Sequence, residues 1–192
     1  MRIANIQRKT NETDINLSLN IDGTKQVDVQ TGIPFFDHML TLFAFHGSFD
    51  LKIQAKGDLE VDDHHTVEDI GLALGQALVI ALNDKVGINR YGLMYLPMDE
   101  ALSRVVIDVS NRPFLVFKAQ FNRDKVGTMD TQNVFEFFKS FVNESKINLH
   151  IETLYGDNEH HKIESIFKGF GRALKEATRI TSTEVSSTKG VL

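Results

Sequence analysis

The chain has 192 residues, enough for one domain of good size or two small fused halves, and a fold of this length hides roughly 70% of the unfolded surface. Its 42% hydrophobic and 24% charged residues are ordinary for a soluble globular protein. No apolar run approaches the ~20 residues of a membrane span, and Met1-Arg2-Ile3-Ala4-Asn5 lacks the apolar core of a signal peptide. A net charge of -5 speaks against general nucleic-acid binding, and the absence of cysteine excludes disulfides and thiolate metal sites and fits a reducing, cytoplasmic home.

Residues 2–9 carry a short apolar alternation. Ile15, Leu17, Leu19 and Ile21 then alternate with polar residues, as in a strand facing a core on one side. Asp22-Gly23 is a turn pair and 26–30 alternates again, so 13–30 is predicted as a hairpin. Thr31-Gly32-Ile33-Pro34 breaks the pattern. Pro34 suits a first helical turn, and 35–45 reads as an apolar-rich helix that carries His38 and ends at Gly47. Residues 49–55 are predicted as a strand. After an acidic loop, 64–84 is a helix with Val67, Ile70, Leu74, Leu78 and Ala81 on one stripe, terminated by Gly87.

The plan then repeats. Residues 93–98, 101–109 and 114–119 read as strands, 131–142 as an apolar-rich helix, 147–154 as a strand, and 160–178 as a long helix with Ile163, Phe167, Phe170 and Leu174 inside. Phe49-Asp50-Leu51-Lys52-Ile53 followed by Gly57-Asp58 matches Ile147-Asn148-Leu149-His150-Ile151 followed by Gly156-Asp157. The expected fold class is α+β: an internal duplication of a strand-strand-helix-strand-helix unit, giving sheets with helices packed on one face. Residues 1–92 and 93–180 are the expected half-repeats of one compact domain. Residues 181–192 form a Ser/Thr-rich tail that composition alone makes a flexible end.

Four of the seven histidines fall in Asp62-Asp63-His64-His65-Thr66-Val67-Glu68-Asp69 and Asn158-Glu159-His160-His161-Lys162-Ile163-Glu164, each opening a long helix. Helical neighbours at i+3 and i+4 put Glu68 beside His64 and His65, and Glu164 beside His160 and His161. Adjacent histidines diverge by about 100° around the axis, so one doublet serves two ions more easily than one. His38 and His150 are natural extra ligands. Imidazole and carboxylate without sulfur suit Mn, Fe, Zn, Co or Ni, and the spacing is not that of zinc peptidases. The plainer alternative for a single copy is a charged helix start, with Glu68 and Asp69 near the positive end of the dipole. Glu164, Lys168 and Arg172 step by four, as a salt-bridged solvent face or as a ligand followed by cations for an anionic group. Arg90 and Arg112 lie in loop-like places, as ordinary surface residues or as phosphate-binding forks. Asp99 and Glu100 are carboxylates that support a ligand from behind or face solvent, and His46 is a packed or loop histidine.

These residues together resemble the imidazoleglycerol-phosphate dehydratase family, nearly end to end. The match includes Arg8-Lys9-Thr10-Asn11-Glu12-Thr13, Thr31-Gly32-Ile33-Pro34-Phe35-Phe36-Asp37-His38, the stretch from Gly57 to Asp69, Arg90-Tyr91-Gly92, Pro97-Met98-Asp99-Glu100-Ala101, Arg112-Pro113, the stretch from Gly156 to Glu164, Phe167-Lys168 and Ser187-Thr188-Lys189-Gly190. Some members are fused to a histidinol-phosphate phosphatase; this chain is read as the dehydratase alone.

The resemblance implies a duplicated α+β fold, two Mn2+ ions per active site, and self-association into a cage of 24 subunits with sites at subunit interfaces. It implies metal ligation by His38, His64, His65, Glu68, His150, His160, His161 and Glu164, with Glu68 and Glu164 counted among the catalytic residues. It gives Glu12 as the acid/base, Arg90, Arg112, Lys168, Ser187 and Lys189 as the phosphate grip, and Asp99 as a supporting carboxylate. By geometry, His65, Glu68 and His38 group apart from His64. The implied reaction dehydrates D-erythro-imidazole glycerol phosphate to imidazole acetol phosphate in histidine biosynthesis, through an imidazolate and a diazafulvene-like intermediate, with Glu12 or a metal-bound water moving the protons. No nucleic-acid or membrane partner is expected.

Overall fold

A computed structural model describes residues 1–192. The first half runs β1 (Ile3–Lys9), β2 (Thr13–Asn20), β3 (Val27–Gln30), α1 (Pro34–Gly47), β4 (Asp50–Gly57) and α2 (His64–Leu82). The second runs β5 (Tyr91–Met98), β6 (Ala101–Asp108) and β7 (Phe114–Lys118), then a small hairpin of β8 (Lys125–Val126) and β9 (Met129–Asp130), and then α3 (Gln132–Ser145), β10 (Asn148–Tyr155) and α4 (Glu159–Thr178). Each half builds a four-stranded sheet of the same order, β1-β2-β4-β3 and β5-β6-β10-β7. In both, the last pairing is parallel and the others antiparallel.

The α+β class holds, but three strands of the main sheet rather than two precede the first helix of each half, and the second half adds the β8–β9 hairpin. The expected 13–30 hairpin does not form: β2 pairs with β1 and β4, and β3 lies beyond β4. The Asp50 carboxylate accepts the backbone N–H groups of Thr24 (2.6 Å) and Gln26 (2.9 Å), which draws this segment alongside β4. Leu51 and Ile53 are fully buried and belong at the sheet centre, whereas β3 has only the partly buried Val27 and Val29 to cover, as suits an edge. Gly87 does not end α2 either. The helix stops at Leu82, and Asn83 turns the chain with φ 52°. Gly87 (φ 76°) is needed elsewhere: a Cβ there would lie 2.2 Å from the Ser182 carbonyl oxygen, where the tail crosses.

α1 and α2 cover the inner face of the first sheet, α3 and α4 that of the second, and the helices meet between the sheets. The pairing crosses the halves: α1 lies along α4, and α2 along α3. Gly75 and Gly171 are 171 − 75 = 96 residues apart, the same interval as the two doublets. A Cβ at Gly75 would lie 2.6 Å from the Phe141 carbonyl oxygen, and one at Gly171 would lie 2.3 Å from that of Phe43. The equivalent glycine in each half thus lets a long helix press against the backbone of a short one. Phe36, Phe137, Phe167 and Phe170 fill the space between, each fully buried and worth roughly 1.5–3 kcal/mol of burial. The 43 buried apolar residues form one cluster, so the halves share a single core. α2 is long and apolar enough to cross a membrane, but α3 and the first sheet take up its apolar faces.

Candidate active site

Both doublets sit at helix N-termini. The Asn158 side chain accepts the backbone N–H groups of His160 (2.9 Å) and His161 (3.4 Å). On α2, Asp62 accepts from His64 (2.8 Å), while the Asp63 carboxylate accepts the Asp130 N–H of the β8–β9 hairpin (2.8 Å). The hairpin also reaches Phe35 at Gly127, so it bridges the ends of both helix pairs. These caps satisfy backbone donors that would otherwise face the site unpaired.

The doublets are forks. The ring planes stand 82° apart in His64-His65 and 80° apart in His160-His161, with centroids 6.1 Å apart in each. The first histidine of each fork faces across its helix pair. One oxygen of Glu164 lies 3.0 Å from His160 Nε2 and 3.6 Å from Nε2 of His38 on α1, and Lys168 binds the other oxygen. The ligand atoms of His38, His160 and Glu164 all lie within 4.8 Å of one another. Two imidazoles and a buried carboxylate, without sulfur, fit a divalent first-row ion. The equivalent His64 meets Asn133 Oδ1 of α3 at 3.2 Å through Nδ1, and Glu68 at 3.9 Å through Nε2. Within one chain, α1 packing on α4 places His38 beside His160 and Glu164, whereas helix geometry alone groups it with His65 and Glu68.

The second histidine of each fork points to a sheet end. His65 Nδ1 lies 3.0 Å from Asp58, and its Nε2 lies 3.8 Å from Glu12 in the β1–β2 turn. His161 Nδ1 lies 2.7 Å from Glu100, and its Nε2 lies 3.7 Å from Asp99 in the β5–β6 turn. A carboxylate on Nδ1 fixes the tautomer and aims Nε2 outward, as ligating histidines require. The Asp58 hydrogen bond raises the pKa of His65, and Glu100 does the same for His161. In return His161 holds the Glu100 carboxyl at about 2. Burial pushes Glu164 up, but the hydrogen bond and charge of Lys168, with His160, outweigh it and leave the carboxyl below its ordinary value.

Other candidates lie apart. His150 is exposed on the outer face of the second sheet, opposite the helices, in a row with Leu93, Val106 and Val116. Arg90 binds Asp108 at 2.7 Å and the Ser186 carbonyl at 2.9 Å, and Arg112 lies 3.5 Å from the same Asp108. Ser187 and Lys189 follow directly, so four of the five grip residues sit near the start of β5. The fifth, Lys168, touches Met98 at its end. Eight strand residues separate the two places, about 26 Å. The tail is not a loose end here: Thr181 N–H and Gly87 N–H bond to Gly87 and Glu184 carbonyls at 2.7 and 3.0 Å. A cleft of about 600 Å3 opens beside His160 and His161. A larger one of about 810 Å3 lies at the other end of α4, beside His46 and Arg172, and contains no doublet residue.

Asp58 and Asn133 escape sequence reasoning. The repeated Gly-Asp after β4 and β10 points to Asp58, but the same logic misassigns its counterpart: Asp157 does not hold His161, and Glu100 does. Asn133 contacts His64 only because α2 crosses to the other half, for which spacing has no signal.

The imidazoleglycerol-phosphate dehydratase family model matches residues 31–174. The chain is 60% identical over 192 residues to the imidazoleglycerol-phosphate dehydratase of Clostridioides difficile, covering 100% of both. It is 57% identical over 194 residues to that of Bacillus subtilis, again covering 100% of both. The crystal structure of the Staphylococcus aureus imidazoleglycerol-phosphate dehydratase superposes with a TM-score of 0.85 at 46% identity, over 93% of this chain and 99% of that one. The Pyrococcus furiosus enzyme, solved in complex with (S)-C348, superposes with a TM-score of 0.84 at 38% identity, over 97% and 100%.

Proposed function

This chain belongs to the imidazoleglycerol-phosphate dehydratase family, and we propose that it removes water from D-erythro-imidazole glycerol phosphate, giving imidazole acetol phosphate in histidine biosynthesis, at a site that binds two manganese ions. The observation that carries the metal reading is the convergence of His38, His160 and Glu164 from opposite halves of the chain. The other ligands of the pair of ions are His64, Glu68 and the Nε2 atoms of His65 and His161, with each fork serving both ions, and His150 joins from another copy of the chain, since its own fold turns it away. When bound, the ions would supply Lewis acidity to the imidazole of the substrate, which lets the ring release electrons as the C3 hydroxide leaves and take up electrons as the C2 proton is removed.

The residues of the chain supply the rest. The C2 proton is not activated by a carbonyl, so a base must be held close to it while the ring draws electrons. Glu12 is exposed at the tip of the β1–β2 turn, beside His65, and its carboxylate has no partner in its own chain closer than 3.8 Å. In this reading it accepts the C2 proton and returns a proton during conversion of the enol to the ketone. Arg90, Arg112, Ser187 and Lys189 hold the phosphate by charge-assisted hydrogen bonds, and Lys168 adds a cation from the metal side. Anchoring the remote phosphate fixes the reacting carbons against Glu12.

The 26 Å between the two parts of this grip supports a site shared between copies of the chain, and we assign the assembly as the 24-subunit cage. The sheet faces fit. Asp14, Asn16, Ser18 and Asn20 make the outer face of the first sheet polar, whereas Tyr91, Leu93 and Tyr95 are half exposed on the second. The cysteine-free composition suits a cytoplasmic setting. Removing metal with chelator and adding Mn2+ back tests the chemistry. Formation of imidazole acetol phosphate should stop and resume; a metal-free protein that turns over at the full rate rules the metal reading out.

A further inference from the structure

We propose that Asp69, acting through Thr13 and Arg8, is a positioning residue for Glu12. This rests on Glu12 being the proton-transfer group. Nothing holds the Glu12 carboxylate itself, whose side chain is 54% exposed. What is held is the turn beneath it. Thr10 Oγ1 accepts the backbone N–H groups of Glu12 (3.1 Å) and Thr13 (3.0 Å), and the Glu12 carbonyl accepts the Asp58 N–H at 3.1 Å. The buried Thr13 hydroxyl donates to Asp69 Oδ2 at 2.5 Å, and Arg8 Nη2 meets Asp69 Oδ1 at 2.8 Å. Asp69 is itself buried in the second turn of α2, one residue after Glu68. Its carboxylate therefore ties both strands of the turn to the helix that carries His64 and His65.

The other half shows what the fold alone needs at this place. Adding the repeat interval, 69 + 96 = 165, leads to Ser165, whose hydroxyl meets Ser103 Oγ at 2.6 Å. An uncharged pair closes the core there, beneath a turn whose Glu100 is bound to His161 at 2.7 Å and whose Asp99 stands 3.7 Å from that ring, much as Glu12 stands from His65. A buried carboxylate with an arginine costs desolvation that a neutral pair avoids. The charged tie occurs only under the turn that carries Glu12, and it fixes the height and direction of that turn relative to the fork.

The test uses the full-length manganese-loaded enzyme and the variants Thr13→Val, Asp69→Asn, Thr13→Ser and Glu12→Gln. Thr13→Val and Asp69→Asn should lower kcat about 10- to 100-fold, as small misplacements do, with KM, bound manganese and Tm close to the parent. Thr13→Ser, which keeps the donor, should restore kcat. Combining Thr13→Val with Glu12→Gln should lower kcat no further than Glu12→Gln alone, because both remove one function. Parent-like kcat in folded Thr13→Val, full additivity with Glu12→Gln, or loss of manganese would each overturn the positioning role. If Asp69→Asn does not fold, Thr13→Val decides alone. A Glu12→Gln enzyme with parental kcat would instead remove the acid/base reading, and the positioning role with it.

Discussion

His38 and Glu164 lie 3.6 Å apart although they come from opposite halves of a duplicated chain. The contact exists because α1 runs along α4, so each long helix borrows from the short helix of the other half. His160 completes the group, and Lys168 neutralises the buried carboxylate on its far oxygen.

Replacing Glu164 with Gln should remove one of the two proposed manganese ions. Metal titration should give about half the bound manganese of the parent, since a neutral amide is a poor ligand for a hard divalent ion. His46→Asn, at the opposite end of α1, should leave binding unchanged. Equal stoichiometry in the parent and Glu164→Gln would show that the cluster is not a metal site.

Manganese affinity should fall steeply with acid. His65 and His161 have pKa values raised above 6.5 by Asp58 and Glu100, and only neutral imidazole binds metal. Protons therefore compete from above pH 6.5, and titrations at pH 8 and pH 6 should differ more than an ordinary histidine predicts. The metal-free protein behaves oppositely. Its histidine–carboxylate pairs stabilise the fold fully below about 6.5 and lose that contribution as pH rises through the raised values. For Glu100, the contribution is present above its ordinary 4.5 and is lost as pH falls towards about 2. Equal manganese affinity at both pH values would contradict ligation by these residues.

Gly171→Ala should destabilise the protein by about 1–3 kcal/mol, because the new methyl meets the Phe43 carbonyl and the helices must part. At this size that is a Tm loss of roughly 2–4 °C per kcal/mol, measured at one protein concentration. Gly75→Ala should behave alike against Phe141. An unchanged Tm in both would mean that the close helix contact is not needed.

Much of this was legible in the residues. Val67, Ile70, Leu74, Leu78 and Ala81 on α2, and Ile163, Phe167, Phe170 and Leu174 on α4, are all buried as their periodicity required. The forks followed from helical angles. Local patterns do not report which elements meet. β4 enters between β2 and β3, and α1 crosses to α4, because burial of Leu51, Ile53 and the central phenylalanines is decided by the whole core. For that reason neither the placement of His38 beside Glu164 nor the contact of Asn133 with His64 is visible in the spacing. The tail was read from composition as free, yet Gly87 and Arg90 bind its backbone.

Deleting the residues after Ser186 should raise KM strongly while leaving manganese content unchanged, since the proposed phosphate grip includes Ser187 and Lys189 and the proposed ligand set does not. Unchanged kinetics would remove the tail from the site.

The shared site is tested most directly by mixing two defective chains, the tail deletion and Lys168→Met, in one assembly. If the tail of one copy and Lys168 of another meet on the same substrate, about a quarter of the sites in a random mixture contain both intact parts. The mixed assembly should then show higher kcat/KM than either parent at the same total concentration. A mixture no more active than its better parent would place all five grip residues within one chain's site and contradict the shared arrangement.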